Sequence, residues 1–203
     1  MKIGITGGIG SGKSYICRML KSVGYPVYTC DDEAKRLMIE NKEIIDALSK
    51  LIGDNAYIKH QISDGHTIYS LNKPVIATYL FSNPENAQKI NGIVHPVVKN
   101  DFLNWVEEQT CKDVLMESAI LFESGFEDIV DKVVLIYADE DIRIKRVAKR
   151  DKASEKEIRE RMNHQICGQE AYERADYIFD HNYYDTTDEE VRKLVEWLNN
   201  LNQ

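Results

Sequence analysis

Short apolar runs alternate with amphipathic stretches along most of the chain. Five of these runs predict strands: Lys2–Thr6, Pro26–Thr29, Val114–Glu117, Lys132–Tyr137 and Tyr177–Phe179. The first run is followed by apolar residues at helical spacing, from Ile16 to Val23, and Gly24 then offers a C-terminal stop. Strands that alternate with helices predict an α/β fold with a mostly parallel five-stranded sheet.

Two segments interrupt this pattern. The interval from Asp32 to Cys111 contains helical patterns, such as the one that ends at Gly53, and no convincing strand, so it predicts a helical insertion. Within it, residues 54–70 are polar, carry a turn signal at Asp64-Gly65, and predict no regular structure. A basic helix from about Asp141 and a capping box at Ser154 predict a helical lid. The expected parts are a core of 1–31, 112–140 and 169–203, an insertion of 32–111, and a lid of 141–168.

Composition and charge narrow the possible partners. The chain has 203 residues, 43% of them hydrophobic, and a net charge of −8, which argues against a nonspecific nucleic-acid binder. Between Arg143 and Arg161, however, nine Lys/Arg stand against four Asp/Glu. No apolar stretch approaches the roughly 20 residues of a membrane span, and no leader is evident, so we expect a cytoplasmic protein without membrane partners. The cysteines lack metal-site spacing and are expected to be buried or idle thiols: Cys17, Cys30, Cys111 and Cys167.

Residues Gly7 to Ser14 read Gly-Gly-Ile-Gly-Ser-Gly-Lys-Ser, a complete GxxxxGK(S/T) loop between a predicted strand and a predicted helix. In such loops backbone amides surround a polyphosphate, the lysine reaches the outer phosphates, and the hydroxyl binds Mg²⁺. The alternative, a glycine turn that binds nothing, is disfavoured by the strand-loop-helix context. We expect ATP and Mg²⁺ as ligands, and expect the nucleotide to be bound by Gly8, Gly10, Ser11, Gly12, Lys13, Ser14 and Tyr15. The bulky Tyr15 either narrows the loop mouth or packs beside the nucleotide.

Acidic residues follow two of the predicted strands. Asp31 and Asp32 come after the second strand, where a carboxylate can accept the proton of an attacking hydroxyl or, alternatively, cap a helix. The local pattern does not choose between the two residues or the two roles. Glu117 ends the third strand, where it is either a second Mg²⁺ ligand beside Ser14 or an ordinary surface glutamate.

Basic residues after the fourth strand suit a phosphoryl group. Arg146 and Arg150 are spaced i, i+4 on one predicted helical face, where they either hold the transferred phosphate or form a solvated charged surface. His95, before Pro96, either contacts a substrate or is structural at a helix start.

Motifs along nearly the whole chain resemble those of the dephospho-CoA kinase family. They are Ile5 to Ser14, Val27-x-x-x-Asp31-x-x-Ala34, Ile93-Val94-His95-Pro96, Leu121-Phe122-Glu123-Ser124-Gly125, Arg146-x-x-x-Arg150-Asp151 with a downstream Gln165, and Ala175-Asp176-Tyr177-Ile178-x-x-x-Asn182.

The resemblance implies a P-loop kinase core, a coenzyme-binding helical domain, a lid, and transfer of the ATP γ-phosphoryl group to the ribose 3′-hydroxyl of dephospho-CoA. Asp31 matches the family's catalytic aspartate, which separates it from Asp32. Lys13, Arg146 and Arg150 are implied to be catalytic, and Asn182 to border the adenine of ATP. The acceptor side is implied to involve Asp31, Lys73, His95, Leu121 and Glu123. A monomer is expected.

Three departures from the family pattern stand out. Ala119 replaces a proline, Glu117 replaces a shorter acid, and Asn72-Lys73 replaces an Asp-Arg pair, so the charge of Lys73 lacks the bidentate fork of arginine.

The alternatives to this function come from three classes. They are a kinase for another alcohol or nucleotide, such as shikimate, a GTPase-type switch, and a silent nucleotide-binding module. The guanine-reading Asn-Lys-x-Asp motif is missing, because Asn41-Lys42 and Asn72-Lys73 are followed by other residues.

Overall fold

The computed structural model describes residues 1–63, 66–166 and 168–201, and the chain divides into two compact units. One unit comprises Met1–Thr29 and Glu108–Gln203, and the other comprises Cys30–Glu107. The strands are β1 (Lys2–Thr6), β2 (Val27–Thr29), β3 (Tyr57–Gln61), β4 (Thr67–Leu71), β5 (Val114–Glu117), β6 (Lys132–Tyr137) and β7 (Tyr177–Asp180). The helices are α1 (Lys13–Ser22), α2 (Cys30–Glu40), α3 (Lys42–Ile52), α4 (Lys73–Ser82), α5 (Asn86–Glu107), α6 (Glu140–Asp151), α7 (Glu155–Met162), α8 (Gln169–Arg174) and α9 (Thr187–Asn200).

The first unit is built on a parallel sheet with strand order β2-β5-β1-β6-β7. In the register of the central strand β1, Ile3 lies opposite Leu115 on one side and Lys132 on the other. Most apolar residues of the inner strands are buried, and Ile16 and Leu20 of α1 and Leu194 of α9 are fully buried. A parallel sheet requires such cover on its faces, which explains why its strands read as short apolar runs in the sequence. The predicted α/β fold with five parallel strands is confirmed.

The segment after β6 forms two helices that join at a sharp turn. Helix α6 ends with Lys152 in the left-handed region, at a φ of 54°. The predicted capping box opens α7: the Ser154 hydroxyl accepts from the amide of Glu157, whose side chain accepts from the Ser154 amide. Ile144, Val147, Ile158 and Met162 pack between these helices.

The second unit packs α2 to α5 with a hairpin of the antiparallel strands β3 and β4. The prediction that residues 54–70 lack regular structure is therefore wrong, and the predicted turn at Asp64-Gly65 lies outside the described residues. Four of the five β3 residues are exposed, so the strand has little of the apolar signal that marks buried strands. Tyr57 is the buried exception, and its hydroxyl donates to the carbonyl of Met38.

The expected helix start at His95-Pro96 is also wrong, because both residues lie inside the 22-residue helix α5. A proline at an interior helical position removes one backbone hydrogen bond and crowds the carbonyl four residues earlier, which here belongs to Gly92. Across the described ranges 1–63, 66–166 and 168–201, the longest helices lack the apolar length needed to cross a bilayer.

Candidate active site

The loop between β1 and α1 depends on glycines for close backbone approach. Gly7, Gly10 and Gly12 have φ values of 147°, 82° and 99°, a region that other residues rarely adopt. A Cβ atom at Gly7 would lie 2.3 Å from the carbonyl oxygen of Ile136, and one at Gly10 would lie 2.5 Å from that of Arg143. The loop therefore lies directly against the ends of β6 and α6, and α1 begins at its last residues. Helix N-termini of this kind attract phosphate, because their amides and the helix dipole both favour an anion.

Lys13, Ser14 and Glu117 meet beside this loop. The Lys13 ammonium is buried and donates to the carbonyl of Gly7 at 2.8 Å. The Ser14 hydroxyl donates to Oε1 of Glu117 at 2.6 Å, and the Glu117 side chain is 8% exposed. Glu117 is thus a buried acid turned toward the loop rather than an ordinary surface glutamate. It also affects Cys17, whose thiol pKa is raised by burial and by the nearby carboxylate. Cys17 and Cys30 are buried free thiols and Cys111 is an exposed one, whereas Cys167 lies outside the described residues.

Arg146 and Arg150 have different surroundings although they share helix α6. The Arg146 guanidinium donates to the carbonyls of His181 at 2.8 Å and of Ser11 at 3.3 Å, and it lies over the Tyr184 ring. Arg150 is exposed and donates twice to Asp151, at 2.6 and 2.9 Å. Arg146 therefore contacts the Gly7–Ser14 loop, which we call the phosphate loop, whereas Arg150 forms an ion pair with its neighbour Asp151.

His181 lies beside the same loop and was not predicted from the sequence. It is completely buried directly after β7, and its Nδ1 lies 2.7 Å from the carbonyl oxygen of Ser11. Its ring stacks on Tyr15, with centroids 5.9 Å apart and planes 11° apart, and the edge of Tyr184 meets it at 5.2 Å. Burial lowers the pKa of His181, and Arg146 acts in the same direction. Its position at the carboxyl end of a parallel strand was the available signal, because ligands of α/β sheets gather at that edge.

Tyr15 and Asn182 flank the same region. Tyr15 packs beside His181 and is 40% exposed. The Asn182 side-chain oxygen accepts from the amide of Asp139, which ties the segment after β7 to the segment after β6.

A second set of contacts joins the loop to the segments after β5 and α7. The Gln165 side chain accepts from the Ile9 amide at 2.7 Å and donates to the carbonyl of Ala119 at 3.2 Å. The Glu123 carboxylate accepts from the amide of Ile166 at 2.5 Å. Leu121 is fully buried and would lie 2.5 Å from a Cβ atom added at Gly4, so it belongs to the core of this unit. Its contact with an acceptor stays a prediction.

The remaining predicted residues lie in the second unit. Asp31 and Asp32 are exposed in the first turn of α2, which begins directly after β2, and Asp32 accepts from Lys35 at 3.0 Å. Lys73 is the exposed first residue of α4. His95 is half-buried, and its pKa is lowered by burial and by Lys99. Their predicted roles toward an acceptor stay predictions.

Comparison with known proteins identifies the family. Residues 1–186 match the family described as "CoaE: Dephospho-CoA kinase". This chain belongs to the dephospho-CoA kinase family. It is 42% identical over 179 residues to the dephospho-CoA kinase of Bacteroides fragilis strain YCH46, an alignment that covers 88% of this chain and 83% of that protein.

Two solved structures agree with the fold. A crystal structure of a Thermus thermophilus protein is 30% identical, has a TM-score of 0.79, and covers 96% of this chain and 95% of its own. A shikimate kinase from Bacteroides thetaiotaomicron has a TM-score of 0.55 at 14% identity, with 98% of each chain covered, and shows that the fold is that of P-loop kinases.

Family membership confirms the expected reaction class. As a dephospho-CoA kinase the chain is an ATP-dependent phosphotransferase that converts dephospho-CoA to coenzyme A. The alternative of a kinase for another alcohol or nucleotide is not favoured.

Proposed function

We propose that the γ-phosphoryl group of ATP is held at the Gly7–Ser14 loop and passes to the ribose 3′-hydroxyl of dephospho-CoA. The observation that supports this most strongly is the buried convergence of Lys13, Ser14 and Glu117 at the N-terminus of α1. Phosphoryl transfer needs positioning and charge neutralisation more than covalent chemistry. The Lys13 ammonium, the loop amides and the Arg146 guanidinium supply positive charge for that purpose.

Asp31 is the proposed base for the acceptor hydroxyl. The 3′-oxygen forms a bond to the γ-phosphorus as the bond to the β–γ bridging oxygen breaks, and the hydroxyl proton passes to the Asp31 carboxylate. Coenzyme A and ADP are the products. Support for Asp31 comes from its exposed carboxylate two residues after β2 and from its match to the family motif.

Ser14 and Glu117 are the proposed Mg²⁺ residues. Their oxygens lie 2.6 Å apart, and oxygen is the ligand atom that Mg²⁺ prefers. Among the residues that the structure describes there is no cluster of three or more acidic, histidine or cysteine side chains. Mg²⁺ does not need such a cage, since it usually combines one or two protein oxygens with phosphates and water. When bound, the ion neutralises phosphate charge.

Lys73 and His95 of the second unit are proposed acceptor-binding residues, and so are Leu121 and Glu123 of the first unit. Arg150 is proposed to leave Asp151 and hold the transferred phosphate, and Asn182 to border the adenine. The domain boundaries at 32–111 and 141–168, the cytoplasmic location and the monomeric state likewise stay predictions.

An acceptor panel tests the proposed function. ADP release is measured with ATP, Mg²⁺ and one of three acceptors: dephospho-CoA, AMP or shikimate. We expect kcat/KM for dephospho-CoA to exceed that for the other two by at least about 100-fold, because a site built for one polar acceptor rejects others by large factors. Equal or higher kcat/KM with AMP or shikimate would contradict the proposed acceptor.

A further inference from the structure

Two donors converge on the carbonyl of Ser11, in the middle of the phosphate loop. His181 Nδ1 lies 2.7 Å from this oxygen, and Arg146 approaches it at 3.3 Å. A carbonyl oxygen only accepts hydrogen bonds, so the proton of a neutral His181 ring must reside on Nδ1. Nε2 is fully buried and meets no hydrogen-bond partner within the described part of the chain. That also favours a proton on Nδ1, because a buried acceptor without a partner is tolerated more often than a buried N–H.

The position of the His181 ring is fixed from several sides. Its backbone amide donates to the carbonyl of Tyr137 at 2.8 Å, which extends the pairing of β7 with β6 by one residue. Its own carbonyl accepts from Arg146 at 2.8 Å. The ring is packed so closely against Gly12 that an added Cβ atom there would lie 2.3 Å from Nδ1. Tyr15 and Tyr184 cover the ring from two other directions.

This geometry has a direct consequence for the next amide in the loop. The carbonyl of Ser11 and the N–H of Gly12 belong to one planar trans peptide unit, so they point in opposite directions. A bond that holds the Ser11 carbonyl toward His181 therefore turns the Gly12 amide away from His181. We propose that His181 is a positioning residue that fixes the Ser11–Gly12 peptide and so aims the Gly12 amide at the phosphates of ATP.

This inference rests on the proposed binding of ATP at the loop, and it goes beyond that proposal by giving a role to a buried histidine outside the loop motif. The role needs a donor at the place of Nδ1. The amide nitrogen of asparagine can occupy that place, whereas glutamine places its amide further out, near Nε2. A leucine has similar bulk and no donor.

The test is direct binding of ATP, without acceptor, to wild-type protein and to His181→Asn, His181→Gln and His181→Leu. We expect the Kd for ATP to rise about tenfold in the Gln and Leu variants, as for loss of one buried hydrogen bond. His181→Asn should stay within about threefold of wild type, since it keeps the donor. His60→Leu, in the exposed hairpin of the second unit, is the matched control and should bind ATP as wild type does.

The outcomes separate this inference from the proposed function. Wild-type protein that fails to bind ATP would contradict the proposed function itself. Normal ATP affinity in His181→Leu, or an equal loss in His181→Asn and His181→Leu, would contradict only the role of His181. Should the Leu variant fail to fold, ¹⁵N NMR of the wild-type histidine rings decides the point. A proton on Nδ1 of His181 is expected, and a proton on Nε2 of the neutral ring would overturn the inference.

Discussion

At the scale of single residues, Asp31 and Asp32 form a natural pair for testing the proposed base. Both are exposed in the first turn of α2, and Asp32 already accepts from Lys35. Asp31→Asn should lower kcat by roughly 10²- to 10⁴-fold, the usual contribution of a general base, with little change in the Kd for ATP. Asp32→Asn should leave kcat within about threefold of wild type, because its proposed role is local. Steady-state rates of ADP release check both, and a reversed pattern would assign the base to Asp32.

The two histidines with lowered pKa values predict how stability depends on pH. Burial lowers the pKa of both His95 and His181 from the ordinary value of 6.5. Below that pH the unfolded chain takes up protons that the folded chain resists, so the free energy of unfolding falls as pH decreases toward the lowered pKa values. Chemical unfolding at pH 7.5 and pH 5.5 should show lower stability at the acidic value.

His181→Asn should reduce this pH-dependent loss of stability, and His95→Asn should reduce it independently. An unchanged difference between the two pH values in both variants would contradict the assignment of the effect to these rings.

Single residues also show what the sequence reveals and what it conceals. Lys13, Ser14 and Glu117 were predictable from local signals. The loop motif contains Lys13 and Ser14, and Glu117 stands at the end of a predicted strand. His181 was not predicted, because 170 residues separate it from Ser11. The two come together only because β1 pairs with β6 and β6 pairs with β7.

At the scale of elements, the Gln165 side chain links the phosphate loop to the segment after β5 through two hydrogen bonds. Gln165→Ala would leave the Ile9 amide and the Ala119 carbonyl without these two hydrogen bonds. We expect faster hydrogen exchange at the Ile9 amide and an ATP Kd raised by about three- to tenfold.

Gln169→Ala is the matched control, since Gln169 is exposed and bonds to Glu173 on its own helix. Equal behaviour of the two variants, in exchange and in affinity, would show that the Gln165 bonds do not hold the loop.

Two glycines in regular elements predict stability changes of opposite sign. In β1, a Cβ atom at Gly4 would lie 2.5 Å from Leu121 Cδ1 and 3.3 Å from Val130 Cγ2, so Gly4→Ala should destabilise the fold by about 1–3 kcal/mol. In α5, a Cβ atom at Gly92 meets nothing within 4 Å, so Gly92→Ala should stabilise it by about 0.5–1 kcal/mol. Urea unfolding measures both. A destabilising Gly92→Ala, or a neutral Gly4→Ala, would contradict the packing described for these strands and helices.

Elements differ in how well the sequence predicts them. Buried parallel strands are short apolar runs, and three of them, β1, β5 and β6, have the predicted bounds. The hairpin of β3 and β4 was missed because its exposed residues mix isoleucine with charged and polar side chains. Ile58 and Ile68 are 46% and 51% exposed, and their neighbours are mostly polar or charged. The segment therefore lacks the apolar run that predicts a buried strand.

At the scale of the whole molecule, family membership gives the reaction. The first unit contains the Gly7–Ser14 loop, which is the proposed binding site for the phosphates of ATP. Its sheet joins segments from both ends of the chain. Only the folded state therefore brings the phosphate loop together with Glu117, Arg146 and His181. The order of strands in that sheet was not predictable from periodicity, because local patterns mark where a strand lies but not which strands pair.

Transfer of label from γ-labelled ATP to dephospho-CoA is the most direct single measurement. The labelled product is isolated, and ³¹P NMR locates the new phosphate on the ribose. We expect one label per product molecule, as a monoester on the 3′-hydroxyl, with an equal amount of ADP. Release of the label as inorganic phosphate with dephospho-CoA unchanged, or its appearance at another position, would contradict the proposed reaction.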